Sequence, residues 1–226
     1  MTLVPLYRVR LLAGFSLGLI LLAAVAQADP AHWKAEIDSL TQSDTEHLPA
    51  PHGIVFVGSS SIRFWGTLAG DFPGLPVIGR GFGGSVLSDS VYYFDRIVLP
   101  YQPDTVVLYA GENDIHAGVS PETVAADFNA FREKLHTSLA KTRLIYLAMK
   151  PSPSRWAEHE KTEQGNTLIA AACSCDPLLT FVDVYHPMLD AGGQPRPELF
   201  RDDMLHMKHE GYVIWIRLLT PLLKQP

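Results

Sequence analysis

The fold of this chain is decided by the stretch Ile54-Val55-Phe56-Val57-Gly58-Ser59-Ser60-Ser61. Its four apolar residues, three of them β-branched, predict a buried strand. The glycine and serines that follow predict a tight turn into a helix, because serine is a favoured helix N-cap. A buried strand that turns directly into a helix is the repeating unit of sheets with parallel strands.

The same alternation of strand and helix continues along the chain. Apolar runs predict further strands, and runs with apolar residues at spacings of three and four predict helices. The predicted strands are 54–57, 77–78, 105–109, 144–147 and 181–184; the predicted helices are 31–41, 61–68, 88–99, 120–139, 156–172 and 210–223, with a glycine-rich turn at 79–84. Strict alternation implies right-handed crossovers and a parallel sheet that helices cover on both faces, so we expect one α/β domain.

The composition of the 226-residue chain fits a globular protein. Hydrophobic residues make up 47% of the chain and charged residues 19%, which argues against disorder. The formal net charge is −6 and the basic residues form no cluster, so nucleic acid is not an expected partner. A bridge between the two cysteines, Cys173 and Cys175, would be strained because one residue separates them.

Residues 1–28 have the form of a secretory signal peptide. A basic start at Arg8 and Arg10 precedes an apolar run at 11–24 and a small-x-small cleavage site at 26–28. The apolar run is about 14 residues long, short of the ~20 that span a bilayer. We therefore predict export to the periplasm or the extracellular space, and a mature domain at 29–226 with no stable membrane span.

The serines that follow the first predicted strand are candidate nucleophiles. A serine hydroxyl needs a nearby base to attack at neutral pH, and a helix N-terminus at the same turn supplies free N–H groups. Ser59, Ser60 and Ser61 all occupy this turn, and helix capping alone would also explain a serine here. Physical reasoning on the sequence does not choose among them.

A candidate base lies near the C-terminus. Asp203 and His206 are three residues apart, a spacing that on one helical turn lets the carboxylate accept from Nδ1–H while Nε2 faces a nucleophile. Asp202 could replace Asp203 in this role. Alternatively, Asp203, His206 and His209 could ligate zinc, or the segment could be a polar turn before the last helix.

Two further segments could supply donors to an oxyanion. Gly84 ends a glycine-rich segment that can expose a backbone N–H, and Asn113 carries a side-chain NH₂ directly after a buried strand. A flexible turn and a turn-forming asparagine are the plainer explanations. Each candidate residue follows a predicted strand or precedes a helix, which is where parallel sheets bind ligands. The segment 150–156 follows another predicted strand and is expected at the same edge.

Taken together, these segments resemble the SGNH or GDSL hydrolase family of esterases and lipases. The first family block, Phe-x-Gly-Asp-Ser, is similar to residues 56–60 and aligns Ser60 with the nucleophile. The glycine block resembles 81–84 and aligns Gly84 with an oxyanion donor. The Gly-x-Asn-Asp block matches 111–114 fully, the Asp-x-x-His block matches 203–206, and the resemblance spans about 53–216.

The resemblance implies a flavodoxin-like three-layer α/β/α sandwich with about five parallel strands, a shallow open site, and neither a metal nor a cofactor. It implies a catalytic triad and an oxyanion hole, made respectively of Ser60, His206 and Asp203 and of Ser60, Gly84 and Asn113. Two positions depart from the family pattern. Ser59 replaces the Asp of the Gly-Asp-Ser triplet, and Gly79 stands where many relatives carry Asn, which we expect to loosen the turn behind Gly84.

The sequence therefore predicts a secreted serine esterase that hydrolyses acyl or acetyl esters of small molecules, carbohydrates or lipids. Both a lysophospholipase-like and an acetylesterase-like activity fit this pattern. Two alternatives come from other classes. The altered triplet allows a non-catalytic glycan-binding module, and Asp203, His206 and His209 allow a zinc metallohydrolase.

Overall fold

A five-stranded parallel sheet forms the middle of the structure, a computed structural model that describes residues 30–224. The strands are β1 (Ile54–Gly58), β2 (Val77–Gly81), β3 (Thr105–Tyr109), β4 (Arg143–Leu147) and β5 (Leu179–Val182). They lie in the order β2-β1-β3-β4-β5, and every neighbouring pair is parallel. This is the flavodoxin-like order, so the predicted fold class is confirmed.

Nine α-helices connect and cover these strands in the part of the chain that the structure describes. They are α1 (Lys34–Thr41), α2 (Ser60–Arg63), α3 (Leu68–Asp71), α4 (Leu87–Tyr92), α5 (Phe94–Ile97), α6 (Glu112–His116), α7 (Pro121–Ser138), α8 (His159–Cys173) and α9 (His209–Leu223). The longest, α7, begins as its sequence indicates, with the Ser120 hydroxyl accepting from the Thr123 N–H at 3.2 Å.

The sheet is buried on both faces, because alternate residues of each strand point to opposite sides. From β1, Val55 and Val57 join a core covered by α1, α4, α5, α7 and α8. Ile54 and Phe56 join a second core on the other face, covered by α2, α3 and α9. The three layers thus follow from a strand that is apolar at every position.

The second strand is longer than predicted, and Gly79 lies inside it rather than in a turn. Gly79 pairs with Phe56, and the strand continues to Gly81. A Cβ on Gly81 would lie 2.4 Å from the backbone nitrogen of Arg63, so this glycine allows α2 to pack directly on the strand. The predicted start of the glycine-rich turn at residue 79 was therefore wrong, since the turn toward Gly84 starts only after Gly81.

Several predicted helices are divided or shifted in the structure. The helix at 61–68 is two helices, α2 and α3, and that at 88–99 is α4 and α5. The N-terminal helix at 31–41 begins with a 3₁₀ turn at Pro30–Trp33, and that at 156–172 begins with one at Pro153–Glu158. The last strand ends two residues early, because the Asp183 carboxylate accepts from the N–H groups of Tyr185 and His186 and turns the chain.

The predicted signal peptide lies outside the described residues and stays a prediction, as does export. Between residues 30 and 224, no helix has the length and apolar character needed to cross a bilayer. Both cysteines are free thiols; Cys173 is buried at the end of α8, and burial raises the pKa of its thiol to about 12.

Candidate active site

Three neighbouring strands end level with one another and bring distant segments to one edge of the sheet. Gly58 of β1 pairs with Gly81 of β2 on one side and with Tyr109 of β3 on the other. Ser60, Gly84 and Asn113 follow these strand ends by two to four residues. The segments that carry the predicted site residues therefore emerge together at the carboxyl edge, where parallel sheets bind ligands.

Gly58 makes the turn from β1 into α2 possible. Its φ is +151°, and a Cβ at this position would lie 1.9 Å from the carbonyl oxygen of Tyr109. This close approach lets the Ser59 N–H donate to the Tyr109 carbonyl at 3.2 Å. Ser59 then serves as the N-cap residue of α2, and Ser60 is the first residue of that helix.

The hydroxyl of Ser60 contacts the imidazole of His206. The distance from Ser60 Oγ to His206 Nε2 is 3.0 Å, across 146 residues of sequence. Ser59 and Ser61 are buried, whereas Ser60 is partly exposed. Among the three serines that the sequence leaves as candidates, Ser60 is thus the one placed against a base.

The carboxylate that orients His206 belongs to Asp203. Asp203 Oδ2 lies 2.6 Å from His206 Nδ1, and Asp203 Oδ1 accepts from the backbone N–H groups of Leu205 and His206, both at 2.9 Å. The pair lies in a loop before α9 rather than on the helical turn expected from its spacing, and Met204 within it has a φ of +53°. Asp202 does not take this place.

The hydrogen bonds on Asp203 keep its carboxyl group ionised. Partial burial alone would raise its pKa, but the bonds from the His206 side chain and from the two backbone N–H groups lower the pKa to about 2. A carboxylate that stays negative throughout the neutral range can hold Nδ1–H and stabilise an imidazolium.

An aromatic ring fixes the other side of the imidazole. Phe64 packs edge-on against His206, with ring centroids 4.8 Å apart. Phe64 and Met204 are among the few large hydrophobic side chains that remain exposed. Exposed apolar surface therefore lies directly against the imidazole at Phe64, and Met204 adds more within the loop that carries His206.

Asn113 is held with one N–H free to donate. Its Nδ2 donates to the carbonyl oxygen of Ser85 at 2.8 Å, and its Oδ1 accepts from Arg155 at 2.9 Å. An amide nitrogen carries two hydrogens, so one remains for a ligand. The backbone N–H groups of Ser60 and Gly84 also donate to no other residue between 30 and 224. Gly84 has a φ of +79°, a conformation that suits glycine.

The loop that carries Gly84 is braced by residues from the N-terminal helix. Glu36 Oε1 accepts from the Gly83 N–H at 3.1 Å and pairs with Arg63 at 3.0 Å. A Cβ on Gly84 would lie 3.4 Å from the Trp33 indole, so Trp33 covers this side of the loop. These contacts were not predictable, because no motif in the sequence relates a segment before the sheet to the glycine loop.

A second Asp-x-x-His pair follows β5. Asp183 Oδ2 lies 2.7 Å from His186 Nδ1, and Asp183 Oδ1 accepts from the N–H groups of Tyr185 and His186. These contacts reproduce those of Asp203 with His206, yet no serine of the described residues bonds to His186. The sequence pattern alone therefore does not distinguish His206 from His186 as the candidate base, and only His206 contacts Ser60.

Asp114, the last residue of the Gly-x-Asn-Asp segment, faces the interior. Its two oxygens accept from the Leu87 N–H at 3.0 and 3.1 Å, which joins the asparagine segment to the start of α4. Burial raises the pKa of Asp114 from 3.8 to about 7, although the bond from Leu87 favours the ionised form. Asp114 thus stabilises the structure beside the site by holding the start of α4.

This raised pKa predicts a measurable dependence of stability on pH. Because Asp114 releases its proton at higher pH in the folded than in the unfolded chain, the free energy of unfolding falls as pH rises from about 4 to about 7, by at most on the order of 4 kcal/mol. Asp114→Asn removes this dependence.

We expect the fall in melting temperature between about pH 5 and about pH 8 to be smaller in Asp114→Asn than in the wild type. An exposed control, Asp202→Asn, should behave as the wild type; equal pH profiles for Asp114→Asn and wild type would contradict the prediction.

The zinc alternative finds no support in the side-chain geometry. Within residues 30–224, no group of three or more His, Cys, Asp or Glu side chains is arranged to hold a metal ion. Asp203 and His206 bind each other, but His209 is not gathered with them.

Comparison with known proteins adds a family and a set of structural neighbours. A family model described as the GDSL-like Lipase/Acylhydrolase family matches residues 38–214, well over half of the chain. No curated protein matches the chain.

The matches to solved structures extend over nearly the whole length of those proteins. A Streptococcus pneumonia protein described as a platelet activating factor has a TM-score of 0.76 at 19% identity, over 85% of this chain and 94% of its own. A GDSL-like lipase from Bacteroides thetaiotaomicron has 0.66 at 21%, over 87% and 97%. The acetylxylan esterase Axe2 from Geobacillus stearothermophilus has 0.64 at 14%, over 78% and 96%. At these identities the likeness shows a shared fold.

Proposed function

Since this chain belongs to the GDSL-like lipase/acylhydrolase family and is a hydrolase of esters, we propose that it cleaves carboxylic esters with Ser60 as nucleophile. The observation that carries the proposal is the chain of contacts from Ser60 Oγ to His206 Nε2 at 3.0 Å and from His206 Nδ1 to Asp203 Oδ2 at 2.6 Å. A hydroxyl, an imidazole and a carboxylate in this order are the three groups of a Ser-His-Asp catalytic triad.

In the first half of the reaction, Ser60 Oγ bonds to the ester carbonyl carbon while its proton passes to His206 Nε2. The carbonyl electrons move onto oxygen, and Asp203 stabilises the imidazolium that has formed. When the tetrahedral intermediate collapses, the bond to the alcohol oxygen breaks and His206 protonates that oxygen. An acyl group remains on Ser60.

In the second half, water takes the place of the alcohol. Its oxygen bonds to the acyl carbon while His206 accepts a proton, and collapse releases the carboxylic acid as the proton returns to Ser60 Oγ. In both halves the negative oxygen accepts from the backbone N–H groups of Ser60 and Gly84 and from the Asn113 amide. Preorganised donors of this kind supply much of the rate enhancement in acyl transfer.

The departure at Ser59 supports neither loss of activity nor a purely glycan-binding role. Ser59 acts through its backbone: its N–H donates to Tyr109, and its carbonyl accepts from Ile62 and Arg63 at 3.0 and 3.1 Å. These bonds do not depend on the side chain that distinguishes this chain from the family triplet. We therefore favour an enzyme over a binding module.

The proposed substrates are small-molecule, carbohydrate or lipid esters with an acyl or acetyl group, met outside the cytoplasm after export. The exposed ring of Phe64 packs against the imidazole that would protonate the leaving alcohol, which favours an apolar group on that side of the substrate. Hydrolysis of acetylated sugars and of lysophospholipids are the two narrower versions of the proposal.

Purified protein should be assayed with p-nitrophenyl acetate, butyrate and octanoate, with acetylated xylo-oligosaccharide and with lysophosphatidylcholine. We expect turnover of the carboxylic esters that survives excess EDTA, and no turnover of p-nitrophenyl phosphate. Failure of a folded protein to hydrolyse any carboxylic ester would overturn the proposal. So would activity that EDTA abolishes and zinc restores.

A further inference from the structure

An arginine outside the triad contacts the proposed oxyanion donor. Arg155 lies in the 3₁₀ turn that precedes α8, and only 14% of its side chain is exposed. Its Nη1 donates to Asn113 Oδ1 at 2.9 Å. Burying a guanidinium is costly unless it has hydrogen-bonding or charged partners. The partners of Arg155 therefore indicate why this side chain is buried here.

The bond from Arg155 determines which way the Asn113 amide points. With Oδ1 toward the guanidinium, Nδ2 donates one hydrogen to the Ser85 carbonyl and keeps the other for the site. The flipped amide would set its oxygen against the Ser85 carbonyl and its NH₂ against a cation. Both contacts would be repulsive, so Arg155 and Ser85 together select a single orientation.

A buried carboxylate keeps the guanidinium in place. Glu112, the residue before Asn113, accepts from the Tyr109 hydroxyl at 2.6 Å, from Lys150 at 2.5 Å and from the Ser152 hydroxyl, and its Oε1 lies 3.7 Å from Arg155 Nη1. Burial alone would raise the pKa of Glu112, but the charges of Lys150 and Arg155 hold it below its ordinary value. Glu112 is therefore an anion that anchors the two cations.

The same turn also holds the loop of the base. The N–H of Ser154, adjacent to Arg155, donates to the carbonyl oxygen of Met204 at 3.0 Å. Met204 lies between Asp203 and His206 and has the positive φ of that loop. Two consecutive residues thus connect the proposed oxyanion donor to the proposed base.

We propose that Arg155 is a positioning residue for ester hydrolysis, which fixes the Asn113 amide toward the oxyanion and polarises its N–H. The inference rests on the proposed esterase function. A cation bonded to Oδ1 draws electron density from the amide, and charge-assisted hydrogen bonds are stronger than neutral ones. The gain appears only when negative charge develops on the substrate, so it lowers the barrier without tightening ground-state binding.

The test replaces Arg155 with Ala and measures kcat and KM on p-nitrophenyl butyrate. We expect kcat to fall roughly 10- to 100-fold, the loss of one charge-assisted bond, with KM changed by less than about threefold. Guanidinium chloride at millimolar concentrations, far below the molar range that unfolds proteins, should restore part of kcat to Arg155→Ala. Arg155→Lys, which keeps the charge, should lie between the wild type and Arg155→Ala.

A double-mutant cycle separates positioning from general damage. Because Arg155 acts through Asn113, Arg155→Ala should lower kcat by less than about threefold in an Asn113→Ala background. The matched control is Arg96→Ala, which removes an arginine paired with Asp38 at 2.7 Å and should neither lose kcat nor respond to guanidinium.

These measurements distinguish failure of the role proposed for Arg155 from failure of the proposed esterase function. A wild type without esterase activity defeats the proposed function. An active wild type with a folded Arg155→Ala of unchanged kcat, or with additive losses in the cycle, overturns the role of Arg155 alone. If melting curves show that Arg155→Ala does not fold, Arg155→Lys and Arg155→Gln take its place, and equal kcat in both overturns the proposal.

Discussion

Replacing His206 with alanine is expected to lower kcat/KM for p-nitrophenyl butyrate roughly 10⁴-fold or more. Without the imidazole, the Ser60 hydroxyl keeps its proton and the leaving alkoxide receives none, so both halves of the reaction lose their proton carrier. Asp203 would then have only backbone N–H partners among its present contacts. Steady-state kinetics on the folded variant measure the loss.

The chain offers a matched control for this variant in its second Asp-x-x-His pair. His186→Ala removes an imidazole with the same carboxylate and backbone contacts, but without a serine. His186 is largely exposed, and exposed ion pairs contribute little to stability, so kcat/KM should stay within about threefold of the wild type. Comparable losses in the two variants, or a tenth or more of the activity left in His206→Ala, would contradict the assignment.

Asn113→Ala is expected to lower kcat roughly 10²- to 10³-fold, as removal of one oxyanion donor does in acyl transfer. The free N–H of Asn113 Nδ2 meets negative charge only after attack, so KM should change by less than about threefold. Stopped assays with saturating p-nitrophenyl butyrate give kcat directly.

A second substitution at this position separates the lost donor from lost packing. Asn113→Asp keeps the size of the side chain and the pairing with Arg155, but replaces NH₂ with an acceptor oxygen, which also removes the bond to the Ser85 carbonyl. We expect a loss of kcat at least as large as in Asn113→Ala. This comparison requires both variants to be folded, but it does not require that either keeps the melting temperature of the wild type. A folded Asn113→Asp with kcat within about tenfold of wild type would show that the amide donates nothing to the transition state.

The fold was largely predictable because the signals that decide it are local. The run at 54–57 is apolar at every position and is followed by a glycine and serines, which is how a buried parallel strand begins a crossover. The break between α2 and α3 was not predictable. There the Trp65 indole and the Thr67 hydroxyl both donate to Asp71, at 2.7 and 2.6 Å, and no periodicity reveals such bonds.

The candidate site likewise contains residues that the sequence predicts and contacts that it does not. The blocks that carry Ser60, Gly84 and Asn113 follow strand ends and the block that carries His206 precedes the last helix, and all four are short motifs that a family resemblance can name. Contacts made by side chains from elsewhere in the chain have no motif. Glu36 on the glycine loop and Arg155 on Asn113 became visible only when the chain had folded.

Glycines show why spacing alone misleads. Gly79 and Gly81 looked like parts of a flexible turn, yet both pair with β1 inside the sheet. What Gly81 provides is room, since a side chain there would meet the backbone of α2. A glycine required for close packing and one required for a turn have the same letter in the sequence.

If Ser60 is the nucleophile, a fluorophosphonate probe should label this serine. Such a probe bonds covalently to a serine activated by a base, and mass spectrometry of the digested protein locates the adduct. We expect one adduct, on Ser60, that is absent from Ser60→Ala and present in Ser59→Ala and Ser61→Ala. A folded wild type that resists the probe, or an adduct on any other serine, would contradict it.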